Sequence, residues 1–145
     1  MHWPSHLPRQ STVILKSSLC HAHNLFSVDL LLKTSNTMSA PEIPALHSKA
    51  EYLKAVMYEG VTILEGTATW CQNCKVIAPE VAKMVAEYPN VKFYTYDVEE
   101  CEDIAQELGV SQMPTFSIFK DGDIQEGVTG AKPKEIRKAI EGCLG

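Results

Sequence analysis

Two cysteines separated by two residues, in the run Trp70-Cys71-Gln72-Asn73-Cys74-Lys75, are the residues of this sequence best placed to do chemistry. A pair at that spacing closes a small disulfide, and the reduced pair can pass two electrons to another disulfide by thiol exchange. The helical pattern that follows puts Cys71 at a helix start, where unpaired backbone N–H groups and the helix dipole stabilise a thiolate, the nucleophilic form of cysteine. Cys74, one turn further in, is expected to be the more buried thiol and to resolve a mixed disulfide formed on Cys71. Lys75 adds positive charge beside the pair. The other chemistry open to Cys-x-x-Cys is half of a zinc site. Zinc asks for two further Cys or His ligands, and His47, Cys101 and Cys143 form no second paired knuckle, so no metal is expected.

The elements that must position this pair are legible around it. Ser48 reads as an N-cap with Glu51 completing a capping box, and Ala50, Leu53, Val56 and Met57 mark one face of a helix that stops by Gly60. Val61 to Leu64 is a short continuous apolar run, the pattern of a strand covered on both faces in a parallel sheet. From Cys74 the spacing of Val76, Ile77, Val81, Met84 and Val85 predicts a helix, with a kink expected at Pro79. Val91 to Val98 reads as a strand, Cys101 to Leu108 as a short helix closed by Gly109, and Thr115 to Phe119 as another strand. Asp121-Gly122 is a hairpin turn into a strand from Ile124 to Val128. Lys134 to Cys143 closes the chain as an amphipathic helix after Pro133, with Ile136, Ala139 and Ile140 inward. Alternating helices and strands followed by a hairpin predict a three-layer α/β/α sandwich with a mixed central sheet.

The chain has 145 residues, 13 Lys+Arg against 18 Asp+Glu, and five cysteines. That length suits one ordinary domain, which excludes both a disulfide-stapled mini-protein and a two-domain enzyme. A formal charge of −5 argues against non-specific binding to nucleic acid or to anionic membranes. An odd cysteine count excludes an extracellular framework in which every thiol is paired. The charge is uneven. Residues 1–37 carry Arg9, Lys16 and Lys33 against Asp29, a net of +2, while residues 38–145 carry 10 bases and 17 acids, a net of −7. Residues 1–37 contain no run approaching the roughly 20 apolar residues of a membrane helix, and the cluster from Leu25 to Leu32 lacks a secretory cleavage site. They are expected to be an extension outside the fold, disordered or unused, with translation from Met38, a domain over 38–145 and a cytoplasmic location. The alternative is a mitochondrial transit peptide, for which the segment is suitably Ser-rich and acid-poor.

Ala68-Thr69-Trp70-Cys71-x-x-Cys74-Lys75, followed later by Gln112-Met113-Pro114-Thr115-Phe116 and Thr129-Gly130-Ala131, resembles the thioredoxin family, and the likeness runs from about Ile43 to the end of the chain. The resemblance implies the thioredoxin fold, with Pro114 cis and facing the disulfide. It also implies that Trp70, Met113, Pro114 and Gly130 form the substrate platform, where the Met113 backbone pairs with an extended target peptide in strand fashion. Two departures stand out. Family members usually carry Gly-Pro between the cysteines, and this chain has Gln72-Asn73. Losing the proline frees a backbone N–H, and the two side-chain amides are available to hydrogen-bond a sulfur or its loop, so the reduction potential is expected to shift. Six residues before Cys71, where the family typically places a buried Asp that accepts the resolving cysteine's proton, this chain has Glu65, followed by Gly66 instead of a bulky aromatic. A carboxylate in an apolar strand has its pKa raised towards the range a general base needs, so Glu65 is expected to keep that role, with space beside Gly66 open to a water. The alternative is a Glu65 turned outward into solvent.

Cys101 follows Asp97, Glu99 and Glu100 and precedes Glu102 and Asp103, charges that raise a thiol pKa; it is expected to be inert, as are Cys143 and Cys20. The expected function is a protein dithiol–disulfide oxidoreductase that reduces target disulfides through Cys71 and Cys74. No metal or nucleotide is expected to be required, the protein is expected to be a monomer, and thioredoxin reductase or glutathione is the expected electron donor. Competing expectations are an oxidant or isomerase-like variant with shifted potential, and a binding or scaffold protein of the same fold with secondary redox activity.

Overall fold

The computed structural model describes residues 41–145, so the expectations for the N-terminal extension and for Cys20 lie outside the described residues. In chain order the elements are β1 (Ala45–Leu46), α1 (Lys49–Val56), β2 (Val61–Thr67), α2 (Gln72–Glu87), β3 (Lys92–Asp97), α3 (Glu102–Glu107), β4 (Thr115–Lys120), β5 (Asp123–Thr129) and α4 (Pro133–Leu144). The strands form one sheet in the order β1-β3-β2-β4-β5. β1, β3 and β2 are parallel, and β4 and β5 are antiparallel to their neighbours, which makes the sheet mixed. β1 has only two residues, too few to leave a sequence pattern, and exists through its pairing with Thr95 and Tyr96.

β2 is central and buried on both sides. One face of the sheet, with Val61, Ile63, Phe93, Phe116 and Ile118, packs against Ile77, Val81 and Met84 of α2 and Ile136, Ala139 and Ile140 of α4. The other face, with Leu64, Tyr96 and Phe119, packs against Tyr52, Ala55 and Val56 of α1 and Ile104 and Ala105 of α3. This is the three-layer sandwich the element order predicts. β2 also continues three residues past Leu64, because Glu65 and Gly66, poor strand formers by themselves, are held by β3 on one side and β4 on the other.

Two helix faces differ from expectation. Ser48 does cap α1, its side chain accepting from the Glu51 N–H, and the Glu51 carboxylate accepts from the His47 N–H at 2.7 Å. Leu53 and Met57, however, point to solvent, and the buried stripe is Tyr52, Ala55 and Val56. Tyr52 takes the inward place because its ring meets Phe119 edge-on while its hydroxyl donates to Glu107 at 2.8 Å. A ring with a polar tip suits that buried position because its hydroxyl has the Glu107 carboxylate to donate to. In α2 the buried stripe is Cys74, Ile77, Val81 and Met84, and Val76 is exposed. The helix begins at Gln72, earlier than the pattern indicated, and runs through Pro79 to Glu87. The β4–β5 turn has positive φ at both Asp121 and Gly122, the backbone that a two-residue hairpin of this hand requires.

Gly66 is opposite Tyr96 in the β2–β3 register. A Cβ at Gly66 would lie 2.9 Å from the Tyr96 hydroxyl and 3.1 Å from its Cζ. The space beside Gly66 is therefore taken by a tyrosine, on the opposite sheet face from Glu65, and is not open to a water serving that carboxyl. Among the described residues the Tyr96 hydroxyl is the one buried side-chain polar atom without a hydrogen-bond partner, and burial pushes its pKa up to about 12. Gly66→Ala is expected to destabilise by ~1–3 kcal/mol through overpacking. Tyr96→Phe, which removes an unpaired buried hydroxyl, is expected to be neutral or stabilising, and to recover part of the loss when combined with Gly66→Ala. Urea unfolding midpoints of the three variants check this; a fully additive double mutant would deny the contact.

Candidate active site

β2 ends beneath the chemistry. After Thr67 the chain turns through Ala68, Thr69 and Trp70, with the Cys71 N–H donating to the Ala68 carbonyl at 3.0 Å, and enters α2 with Cys71 as its N-cap. A cysteine there does what Ser or Asp does at other helix starts: its Sγ accepts the Cys74 N–H at 3.1 Å. The same donor, with the other unpaired N–H groups of the first turn, would stabilise a Cys71 thiolate. Cys71 and Cys74 are joined in a disulfide, with Cα atoms 5.4 Å apart. The expected difference in burial is not found. Cys71 is 4% exposed and Cys74 7%, because Ala68, Val98 and Met113 pack around both sulfurs.

Met113-Pro114 is a cis peptide, as the resemblance implied. Pro114 is fully buried at the start of β4, while Met113 is half-buried against the cysteines. Gly130, at φ +92°, donates its N–H to the Pro114 carbonyl at 2.7 Å, so the loop after β5 is tied to the cis-proline. Among the described residues the Met113 backbone makes no hydrogen bond, which leaves its N–H and C=O to pair with an incoming strand. Trp70 is 58% exposed, so it is not a packing residue; its indole N–H donates to Glu99 at 3.0 Å. Gln72, Asn73 and Lys75 are all exposed. Neither amide hydrogen-bonds a sulfur or the loop among the described residues, contrary to expectation, since side chains on the outer face of the first helical turn project away from the sulfurs beneath it.

Glu65 is 7% exposed and points to the α2 side of the sheet, so the outward alternative fails. Burial pushes its pKa up to about 7. It lies with Cys74 and Cys71 on the wall of a cleft of about 360 Å³, which Thr67, Thr95, Asp97 and Lys75 also line. Thr95 and Asp97 escaped the sequence reading, because only the parallel β2–β3 register brings them beside Glu65 and Thr67. Cys101 and Cys143 are buried free thiols, and burial pushes both pKa values up. The acids around Cys101 add to the effect, so both thiols are poor nucleophiles. His47 is occupied elsewhere, paired with Glu100 at 3.4 Å.

Comparison with known proteins agrees with this geometry. The Thioredoxin family model matches residues 44–142. Thioredoxin AMT13 of Alternaria alternata is 38% identical over 104 residues, spanning 71% of this chain and 88% of its own. Thioredoxin-1 of Saccharomyces cerevisiae is 41% identical over 91 residues, spanning 63% of this chain and 88% of its own. The crystal structure of oxidised mitochondrial thioredoxin 3 from the same yeast superposes with a TM-score of 0.67 at 35% identity, covering 69% of this chain and 94% of that one. With its Cys-x-x-Cys disulfide at the head of α2 and its cis-proline beside it, this chain belongs to the thioredoxin family of thiol–disulfide oxidoreductases.

Proposed function

We propose that the protein reduces disulfides in target proteins, with Cys71 as nucleophile, Cys74 as resolving thiol and Glu65 as the base that serves Cys74. The single observation that carries this is the stacking of three parts: the cysteine pair at the head of α2, the cis-proline platform against it, and a buried carboxyl with a pKa near 7 on its inner side. In the first step the Cys71 thiolate attacks one sulfur of the target disulfide; that S–S bond breaks, a Cys71–target disulfide forms, and the other target sulfur leaves as a thiolate that takes up a proton. In the second, Glu65 takes the proton of Cys74, and the Cys74 sulfur attacks Cys71. The mixed disulfide breaks, the second target sulfur leaves as a thiolate that takes up a proton from solvent, and the Cys71–Cys74 disulfide remains. The target gains two electrons and the protein loses two. Throughout, the target lies extended against Met113-Pro114, beside Trp70 and Gly130.

No metal or nucleotide enters these steps, and the protein acts as a monomer. Electrons return from thioredoxin reductase or from glutathione. The cytoplasm is the proposed compartment; because one relative is a mitochondrial thioredoxin, the acid-poor residues 1–37 keep a transit-peptide role as the second reading. Sequencing the N-terminus of native protein separates the two: Met38 or Ser39 first supports the cytoplasmic reading, and a cut between Met1 and Met38 in an organelle fraction supports the other. The reductant role is tested by insulin reduction with dithiothreitol and by equilibrating the Cys71–Cys74 pair with glutathione buffers. Turnover with a potential at or below the glutathione poise is expected. A potential well above it assigns the oxidant or isomerase role instead, and target binding without turnover assigns the scaffold role.

A further inference from the structure

Burial pushes the Glu65 pKa up to about 7, so at neutral pH part of the molecules hold its proton, and Glu65 must lose that proton before it can serve Cys74, in the first turnover as in later ones. On the α2 side of the sheet an apolar rank, Val61 and Ile63 in β2 beside Phe93 in β3, gives way towards the strand ends to a polar one. The register sets Glu65 beside Thr95 and Thr67 beside Asp97. Above this polar rank lies the first turn of α2, and the cleft between has room for several waters at about 360 Å³. Glu65 is at its buried part, while Asp97 is half-buried. The titratable groups facing Glu65 across the cleft are Cys71 and Cys74 of the α2 head, Lys75 of α2 and Asp97 of β3. The cysteines are the reacting atoms, and a docked target covers their outer side. The Lys75 ammonium is a donor with no lone pair to receive a proton. Asp97 has one: its Oδ1 accepts the Glu99 N–H at 2.8 Å, and its second oxygen is free among the described residues.

We propose that Asp97 relays the proton between Glu65 and solvent through the cleft. The exchange moves one proton and no electrons. Glu65 returns to carboxylate as Asp97 becomes carboxylic acid, and Asp97 then passes the proton to bulk water; reduction of the Cys71–Cys74 disulfide runs the path backwards to protonate the departing Cys74 sulfur. This rests on the reading of Glu65 as the base, and acts through it, so Asp97 is a relay and never touches the sulfurs.

The test follows the reaction of reduced protein with a chromogenic aromatic disulfide, dithiobis-nitrobenzoate, by stopped flow at neutral pH and low buffer. The first chromophore released reports attack by Cys71 and the second reports resolution by Cys74. Asp97→Asn keeps an oxygen for the Glu99 N–H, so the loop is preserved, and an unchanged first release checks this. The second release is expected to slow by less than the roughly 10²-fold lost with a direct base. Added imidazole, small enough to accept the proton in the cleft, is expected to restore it, and Asp97→Asn is expected to cost nothing further in a Glu65→Gln background. A second release at the wild-type rate in every buffer, or a loss that imidazole does not recover, overturns the relay while Glu65→Gln still slows resolution. If Glu65→Gln itself leaves the second release unchanged, the base reading fails and the relay falls with it.

Discussion

Cys74→Ser is expected to stop the reaction after its first bond exchange. Cys71 still attacks the target, but nothing inside the protein can displace it, so the target stays attached and insulin turnover with dithiothreitol falls by more than about 10³-fold. The size follows from proximity: a well-oriented internal nucleophile acts at an effective concentration of roughly 10⁵ M or more, which millimolar external thiol cannot replace. Mass spectrometry is expected to find the adduct on Cys71, and Cys71→Ser is expected to give neither turnover nor adduct. Near-equal burial of the two sulfurs makes this a real test of their roles, since exposure alone does not say which attacks. Their hydrogen bonding does say: Cys71 Sγ receives the Cys74 N–H, and the pair's helix-start position favours negative charge on the first sulfur. An adduct on Cys74 in the Cys71→Ser protein, or wild-type turnover by Cys74→Ser, would reverse or remove the assignment.

The parts of this site that follow from local chain chemistry could be read before the fold. Cys71 at a helix start, the Asp121-Gly122 hairpin and the inward stripe of α4 each depend on residues a few positions apart, and each is found as expected. Parts created by pairing between distant segments could not. Tyr52 outcompetes Leu53 for the inward face of α1 only because Phe119 and Glu107 meet it there. Gly66 looks like missing bulk until the register puts Tyr96 across from it, so the deficit on one strand is filled by excess on the next. Thr95 and Asp97 sit in an ordinary aromatic strand by pattern, and become part of the site through the same register. Single-strand patterns fix which residues share a face, and pairing fixes which residues meet.

Glu65→Gln is expected to separate the two consequences of burying this carboxyl. Its pKa rises from an ordinary 4.5 to about 7 in the folded protein, and burial is the whole cause. At pH 4 both folded and unfolded chains hold the proton and the group carries no pH-dependent penalty. As pH rises the unfolded chain releases its proton first, so folding stability contributed by the protonated form declines through the folded pKa, by about 3 kcal/mol in all once pH 8 is reached. Glutamine cannot titrate. The oxidised Glu65→Gln protein is therefore expected to gain on wild type by about that amount between pH 4 and pH 8 in urea unfolding. Activity should move the other way, with resolution by Cys74 slowed roughly 10²-fold or more at neutral pH and the loss shrinking at alkaline pH, where the thiol ionises unaided. A stability gap that does not change with pH would mean the carboxyl is solvated, and an unchanged resolution rate would mean the base is elsewhere. Both effects have one origin, because the burial that makes the carboxylate costly at neutral pH is also what raises its pKa into the range a general base needs.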